Sequence, residues 1–207
     1  MKKNITLYIQ GVNYLSSNIT LLKWLINLGY WFVDAKPNYK VSHPDWLNKI
    51  NTHSEEIISV EWEADLNPLS KIHAVKELKK AIDYYSSKYN IILVGTSLGG
   101  LIAMDALNDI QENKISNLVL VGSINKKKTV LFDHIKILNI YSKKDKLARF
   151  AIRLLHPISG SQILEGKNVV NINISGIRHD QMFMNHKITS GIYKDKTIGE
   201  AIFEETK

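Results

Sequence analysis

The chain has 207 residues, of which 44% are hydrophobic and 23% charged, and it carries a formal net charge of +7. That size and balance predict one globular domain over 1–207, long enough to bury a core, and argue against a disordered chain. The lack of cysteine excludes disulfides, thiolate metal sites and a cysteine nucleophile.

Short apolar runs alternate with longer amphipathic ones, the pattern of βα units feeding a parallel sheet between two helix layers. Ile5 to Ile9 reads as the first strand. Met1-Lys2-Lys3-Asn4 precedes it, and the apolar stretch stops at Gln10-Gly11, too short and too polar for a secretory leader. A helix capped near Ser17 or Asn18 follows, with Leu21, Leu22, Leu25 and Ile26 on one face and Gly29 at its C-cap. Tyr30 to Val33 reads as a strand ended by Pro37, Pro44 as the start of a helix through Ile50, and Ile57 to Trp62 as another strand. Ser70 is the expected cap of a helix whose apolar stripe is Ile72, Val75, Leu78, Ile82 and Tyr85.

Ile91-Ile92-Leu93-Val94 has no polar alternation, which predicts a strand covered on both faces. A helix from about Leu101 to Asn113 follows, then strands at Leu118 to Val121, Ile135 to Tyr141 and Val169 to Ile174. Between the last two lies an amphipathic stretch, Leu147 to Leu155, ended by His156-Pro157. It reads as a regular helix covering the sheet, with a lid over the site as the alternative. There is no internal repeat and no linker. No run approaches the ~18 apolar residues of a membrane span, and a cytoplasmic location is expected. The lysine runs at 126–128 and 143–144 read as solvated surface, with attraction to anionic lipid, nucleic acid or an acidic partner as the lesser reading. No basic helix with interleaved aromatics calls for nucleic acid.

Gly95-Thr96-Ser97-Leu98-Gly99-Gly100 joins the buried strand to the next helix. This G-x-S-x-G stretch, between strand and helix, reads as a nucleophile elbow, with a glycine-rich turn used only for packing, or a phosphate cradle, as the alternatives. The turn is so sharp that the serine is strained, and bulk at 95 or 99 would collide with the neighbouring strand and helix. Ser97 Oγ is lifted above the sheet edge, and the Leu98 N–H lies at a helix N-terminus, where it can donate to an oxyanion. The stretch lacks both the G-x-G-x-x-G spacing and the terminal G-K-[ST] of nucleotide-binding loops.

On this elbow and the order of elements, the chain resembles the α/β-hydrolase superfamily, in a compact lipase- or esterase-like form. The resemblance implies a three-layer α/β/α sandwich with a mostly parallel central sheet and no large cap. It also implies the chain order serine, acid, histidine, each partner in a loop after a strand. Asp145, in the Ser142-Lys143-Lys144-Asp145 loop, matches the acid; Asp133 is the competitor but precedes its strand. His179 matches the base, ahead of His156 and His186, while Asp180 is expected to cap a helix beginning at Gln181. The second oxyanion donor would be the Val12 N–H, after Gln10-Gly11, where many relatives carry histidine in place of Gln10. Asn13, Tyr14, Trp62, Met182 and Phe183 are candidates for a substrate pocket, with ordinary core packing as the equal alternative.

Together these imply a serine hydrolase acting on small or acyl-chain esters, with no metal or organic cofactor. Thioesterase, acyltransferase or peptidase chemistry would use the same three residues. A catalytically silent binding protein is the alternative of a different class.

Overall fold

The computed structural model describes residues 2–11, 44–50, 54–62, 68–108, 110, 114–126, 130, 132–156 and 158–206. Among them, six strands build one sheet: β1 (Lys3–Ile9), β2 (Ser54–Ser59), β3 (Tyr89–Thr96), β4 (Ile115–Val121), β5 (Lys136–Tyr141) and β6 (Val169–Asn173). Their spatial order is β2-β1-β3-β4-β5-β6, and every neighbouring pair is parallel. The helices are α1 (Leu47–Ile50), α2 (Pro68–Ser86), α3 (Leu98–Leu107), α4 (Lys146–Leu155) and α5 (Ile198–Glu205).

The unbroken apolar run of β3 follows from its place in the sheet. Successive strand residues point to opposite faces. Ile91 and Leu93 therefore enter one core with Leu78 and Ile82 of α2 and Ile102 and Ala106 of α3. Ile92 and Val94 enter the other, with Leu47 and Ile50 of α1 and Ala201 and Ile202 of α5. All four β3 residues are fully buried. Helices on both faces of a parallel sheet make a three-layer α/β/α sandwich, the α/β-hydrolase fold.

Several boundaries differ from the sequence reading. The helix after the elbow begins at Leu98 and not Leu101, so that Ser97 is its N-cap residue. α2 begins at Pro68, whose fixed φ suits a first helical position; Ser70 is inside it. Its buried stripe is Ser70, Ala74, Leu78 and Ile82, while Ile72 is 65% exposed. Six residues are not a whole number of helical turns, so Ile72 cannot share a face with Leu78. β2 lies three residues earlier than expected, because its register is set by pairing with β1. The expected helix around Leu21 to Ile26, its Gly29 cap and the strand at Tyr30 to Val33 lie outside the described residues.

α5 is an element the sequence reading did not anticipate. Thr197 Oγ1 accepts from the Glu200 N–H, and the Glu200 carboxylate accepts from the Thr197 N–H, a reciprocal capping box. The T-x-x-E spacing ahead of Ile198, Ala201 and Ile202 was the available signal.

β1 has β2 on one side and β3 on the other, so the chain leaves it in opposite directions. A crevice opens beyond the carboxyl ends of strands at such a switch point.

Candidate active site

Ser97 follows the last residue of β3 with φ 51° and ψ −122°, a conformation costly for any residue with a side chain. The surroundings hold it there. Its N–H donates to Val121 O at 3.0 Å, and its carbonyl accepts from Gly100 N at 3.2 Å and Ile124 N at 3.4 Å. The turn closes only because three glycines flank it. A Cβ at Gly95 would lie 2.6 Å from Gly100 Cα, and one at Gly99 2.8 Å from the Gln10 carbonyl carbon. At Gly100 it would strike the Ser123 side chain.

The backbone leaving β1 runs directly against the serine. A Cβ on Gly11 would sit 2.6 Å from Ser97 Cβ and 3.2 Å from its Oγ. Thr96, buried beneath, tethers this loop: its Oγ1 accepts from the Gly11 N–H at 3.2 Å and is also bonded to Tyr8 OH at 3.2 Å. Burial pushes the Tyr8 phenol up to about 12. The sequence reading missed Thr96 and Tyr8.

Asp145 comes one turn after β5 and is fully buried. One carboxylate oxygen accepts from the Ala148 N–H at 2.8 Å, capping α4. The other lies 2.7 Å from His179 Nδ1. His179 stands beyond β6, its Nε2 2.9 Å from Ser97 Oγ. A carboxylate only accepts, so Nδ1 carries the imidazole proton and Nε2 is left to accept from the serine hydroxyl. The result is a continuous hydrogen-bonded line from a buried carboxylate through an imidazole, 12% exposed, to a hydroxyl.

Two further groups fix the imidazole. Phe183 meets its edge, with ring centroids 6.0 Å apart at 81°. Gly122, at φ 59°, passes beneath it: a Cβ there would be 3.5 Å from the ring and 2.8 Å from Met182 Sδ. The Asp180–Phe183 segment is a 3-10 turn starting one residue earlier than expected, so its N-cap position falls on His179 and not Asp180.

The remaining sequence candidates divide. The Leu98 N–H is the first amide of α3, beside Ser97. Trp62 is partly buried; its indole N–H donates to Gln10 O at 3.1 Å and its ring packs with Leu98, Leu101 and Ile124. Met182 is fully buried in the core, and its carbonyl accepts from the Trp46 indole at 2.9 Å. Val12, Asn13 and Tyr14 lie outside the described residues. Asp133 is exposed and precedes β5, at the opposite end of that strand from Asp145. His156 caps the C-terminus of α4, and His186 lies beyond the 3-10 turn. Among the described residues, no three histidine, aspartate or glutamate side chains are grouped to hold a metal ion, and no helix is long and apolar enough to cross a membrane.

With this geometry in hand, the chain can be set beside known proteins. The family model of the PGAP1-like alpha/beta domain matches residues 47–197. No curated protein sequence matches. Among solved structures, Est1E from Butyrivibrio proteoclasticus is 13% identical over 99% of this chain and 87% of its own, with a TM-score of 0.50. The virulence factor BioJ from Francisella is 14% identical over 88% and 70%, also at 0.50. A protein named as a yden-like hydrolase from Pectobacterium atrosepticum is 12% identical over 86% and 80%, again at 0.50. At these identities the shared property is the fold.

Proposed function

The chain belongs to the family of PGAP1-like alpha/beta domains, and on that premise we propose that it is a serine hydrolase cleaving carboxylic esters through an acyl-enzyme on Ser97. The observation that carries the reading is the line Asp145–His179–Ser97, at 2.7 and 2.9 Å, ending on a serine held at φ 51°. Structural serines seldom sit in so strained a backbone, and strain of that kind gathers at reactive sites.

The chemistry follows from the roles. His179 Nε2 takes the Ser97 proton as Oγ attacks the ester carbonyl, and the carbonyl π electrons move onto oxygen. Asp145 steadies the imidazolium through Nδ1–H without itself taking the proton. The Leu98 N–H, aided by the positive end of α3, holds the oxyanion; the second donor expected from the sequence, the Val12 N–H, lies outside the described residues. The tetrahedral adduct collapses, the C–O bond to the alcohol breaks, and His179 returns its proton to the leaving oxygen. Water, deprotonated by the same imidazole, then attacks the acyl carbon and releases the carboxylic acid and free Ser97. Trp62, packed with Leu98 next to the serine, and Phe183, at the edge of the imidazole, are the proposed substrate contacts from the described region; Met182 lies in the core.

The test is active-site labelling. A fluorescent fluorophosphonate is expected to label the parent and neither Ser97→Ala nor His179→Ala, and the parent alone is expected to turn over p-nitrophenyl esters. Labelling that survives in Ser97→Ala overturns the nucleophile assignment. A parent that neither labels nor turns over ester overturns the enzymatic reading.

A further inference from the structure

α4 carries two faces of opposite character. On its inner face Ala148 is fully buried, and Ile152 with Ala151 packs against Leu98, Leu101, Ile124 and Trp62, beside the serine. Its outer face is Lys146, Arg149, Phe150 and Arg153, all exposed and spaced i, i+3, i+4 and i+7, which is a single stripe along a helix. Lys143 and Lys144, in the turn before the helix, are exposed as well.

Among the described residues, nothing compensates the stripe. Residues 146–164 contain no aspartate or glutamate. The one acid in the preceding turn, Asp145, is buried and engaged with His179 and the Ala148 N–H. None of the five cations has an ion pair among the described residues, although many other lysines of the chain do, as in Lys126–Asp105, Lys136–Glu205 and Lys196–Glu204. Phe150, in the middle of the stripe, is 44% exposed, and Ile158, just past the helix, is 99% exposed.

We propose that the outer face of α4 docks on an anionic lipid surface. Charge complementarity selects an anionic partner. Phosphate backbones and acidic proteins would satisfy the arginines and lysines, but only a bilayer also offers an apolar layer beneath its charges. A phenylalanine among cations, and an isoleucine held fully in water, suit that layered environment. The consequence for function rests on the serine-hydrolase reading: α4 is capped by Asp145 and packs against Leu98, so docking would set the site at the membrane surface.

The experiment is co-sedimentation of the whole protein with vesicles of phosphatidylcholine alone or of phosphatidylcholine with phosphatidylglycerol. Fluorophosphonate labelling and melting temperature are followed in parallel. At low salt the parent is expected to bind the anionic vesicles at least tenfold better than the neutral ones. The double variant Arg149→Glu/Arg153→Glu is expected to lose at least tenfold of that binding while melting and labelling like the parent. Phe150→Ser, with charge unchanged, is expected to lose several-fold. Equal binding to both vesicle types, or double-variant binding at the parental level, overturns the proposal. So does arginine-dependent binding to duplex DNA or RNA without vesicle binding. Failure of labelling in the parent bears on the hydrolase reading alone, because vesicle binding is read without catalysis.

Discussion

Replacing Asp145 with asparagine separates the proposed chemistry from the architecture, because the carboxylate serves both. One oxygen caps α4 through the Ala148 N–H and the other holds His179 Nδ1. Asparagine is as good an N-cap as aspartate and keeps an oxygen for Ala148. Toward His179 it can present its NH2, which obliges Nδ1 to accept and moves the imidazole proton to Nε2. Nε2 then faces Ser97 Oγ as a donor and cannot take its proton. The wrong tautomer costs about 10⁴ in turnover, equivalent to ~5 kcal/mol of barrier. Asp145→Ala removes the cap as well, at about 0.5–2 kcal/mol, and leaves the buried Nδ1–H unpaired, at about 1–3 kcal/mol. In a chain of this size that lowers the melting temperature by roughly 5–15 °C. Steady-state hydrolysis of p-nitrophenyl acetate, alongside thermal melts by circular dichroism, reads both halves. The expected pattern is an asparagine variant that melts within a few degrees of the parent and has lost at least a thousandfold in kcat, and an alanine variant impaired in both. Turnover of Asp145→Asn within tenfold of the parent would refute the tautomer argument.

Two further outcomes test the surroundings. Ser97→Gly and Ser97→Ala both abolish turnover, but glycine tolerates φ 51° where alanine does not. Relief of strain, net of glycine's flexibility when unfolded, is worth about 1 kcal/mol, so the glycine variant is expected to melt about 2–4 °C above the alanine variant; a lower melting point would show that the backbone is unstrained. Tyr8 has its folded value raised to about 12 from an ordinary 10. The unfolded phenol therefore ionises first, and stability falls as pH rises from 10 to 12, by about 2–3 kcal/mol. Urea unfolding at pH 9 and pH 11.5 is expected to show about 2 kcal/mol of that loss in the parent and a smaller one in Tyr8→Phe; equal losses would remove the burial argument.

What the sequence disclosed depended on whether a signal was local. The elbow is local: an apolar strand, two glycines around a serine and a helix all fall within about twenty residues, and the steric need at 95 arises within that stretch, although the one at 99 comes from the Ile9–Gln10 backbone at the end of β1. The parallel sheet was readable from the alternation of apolar runs, and Asp145 and His179 from chain order after β5 and β6. Contacts between distant segments left weaker marks. Gly122 looks like any residue after a strand until His179 and Met182 are placed over it. Thr96 looks like filler within the motif, yet it holds the Gly11 N–H from 85 residues away. Ile72 fits spacings of three and four taken pairwise, but the phase followed along the helix turns it away from the buried stripe. The stripe on α4 was legible as charge, but the exposure of Phe150 was not.

The switch point at β1 has a consequence for how the protein matures. Gly11, Ser97, Asp145 and His179 come from four separate stretches, and each reaches its place only through pairings between strands far apart in the chain. Such long-range closures are late and slow events in folding. A growing chain displays its serine long before the imidazole has been synthesised, so on the proposed chemistry the hydroxyl stays inert until the sheet is complete through β6. Reactivity toward a phosphonate would thus time the final step of assembly, and an incomplete copy of the chain would pose no hydrolytic hazard to its surroundings.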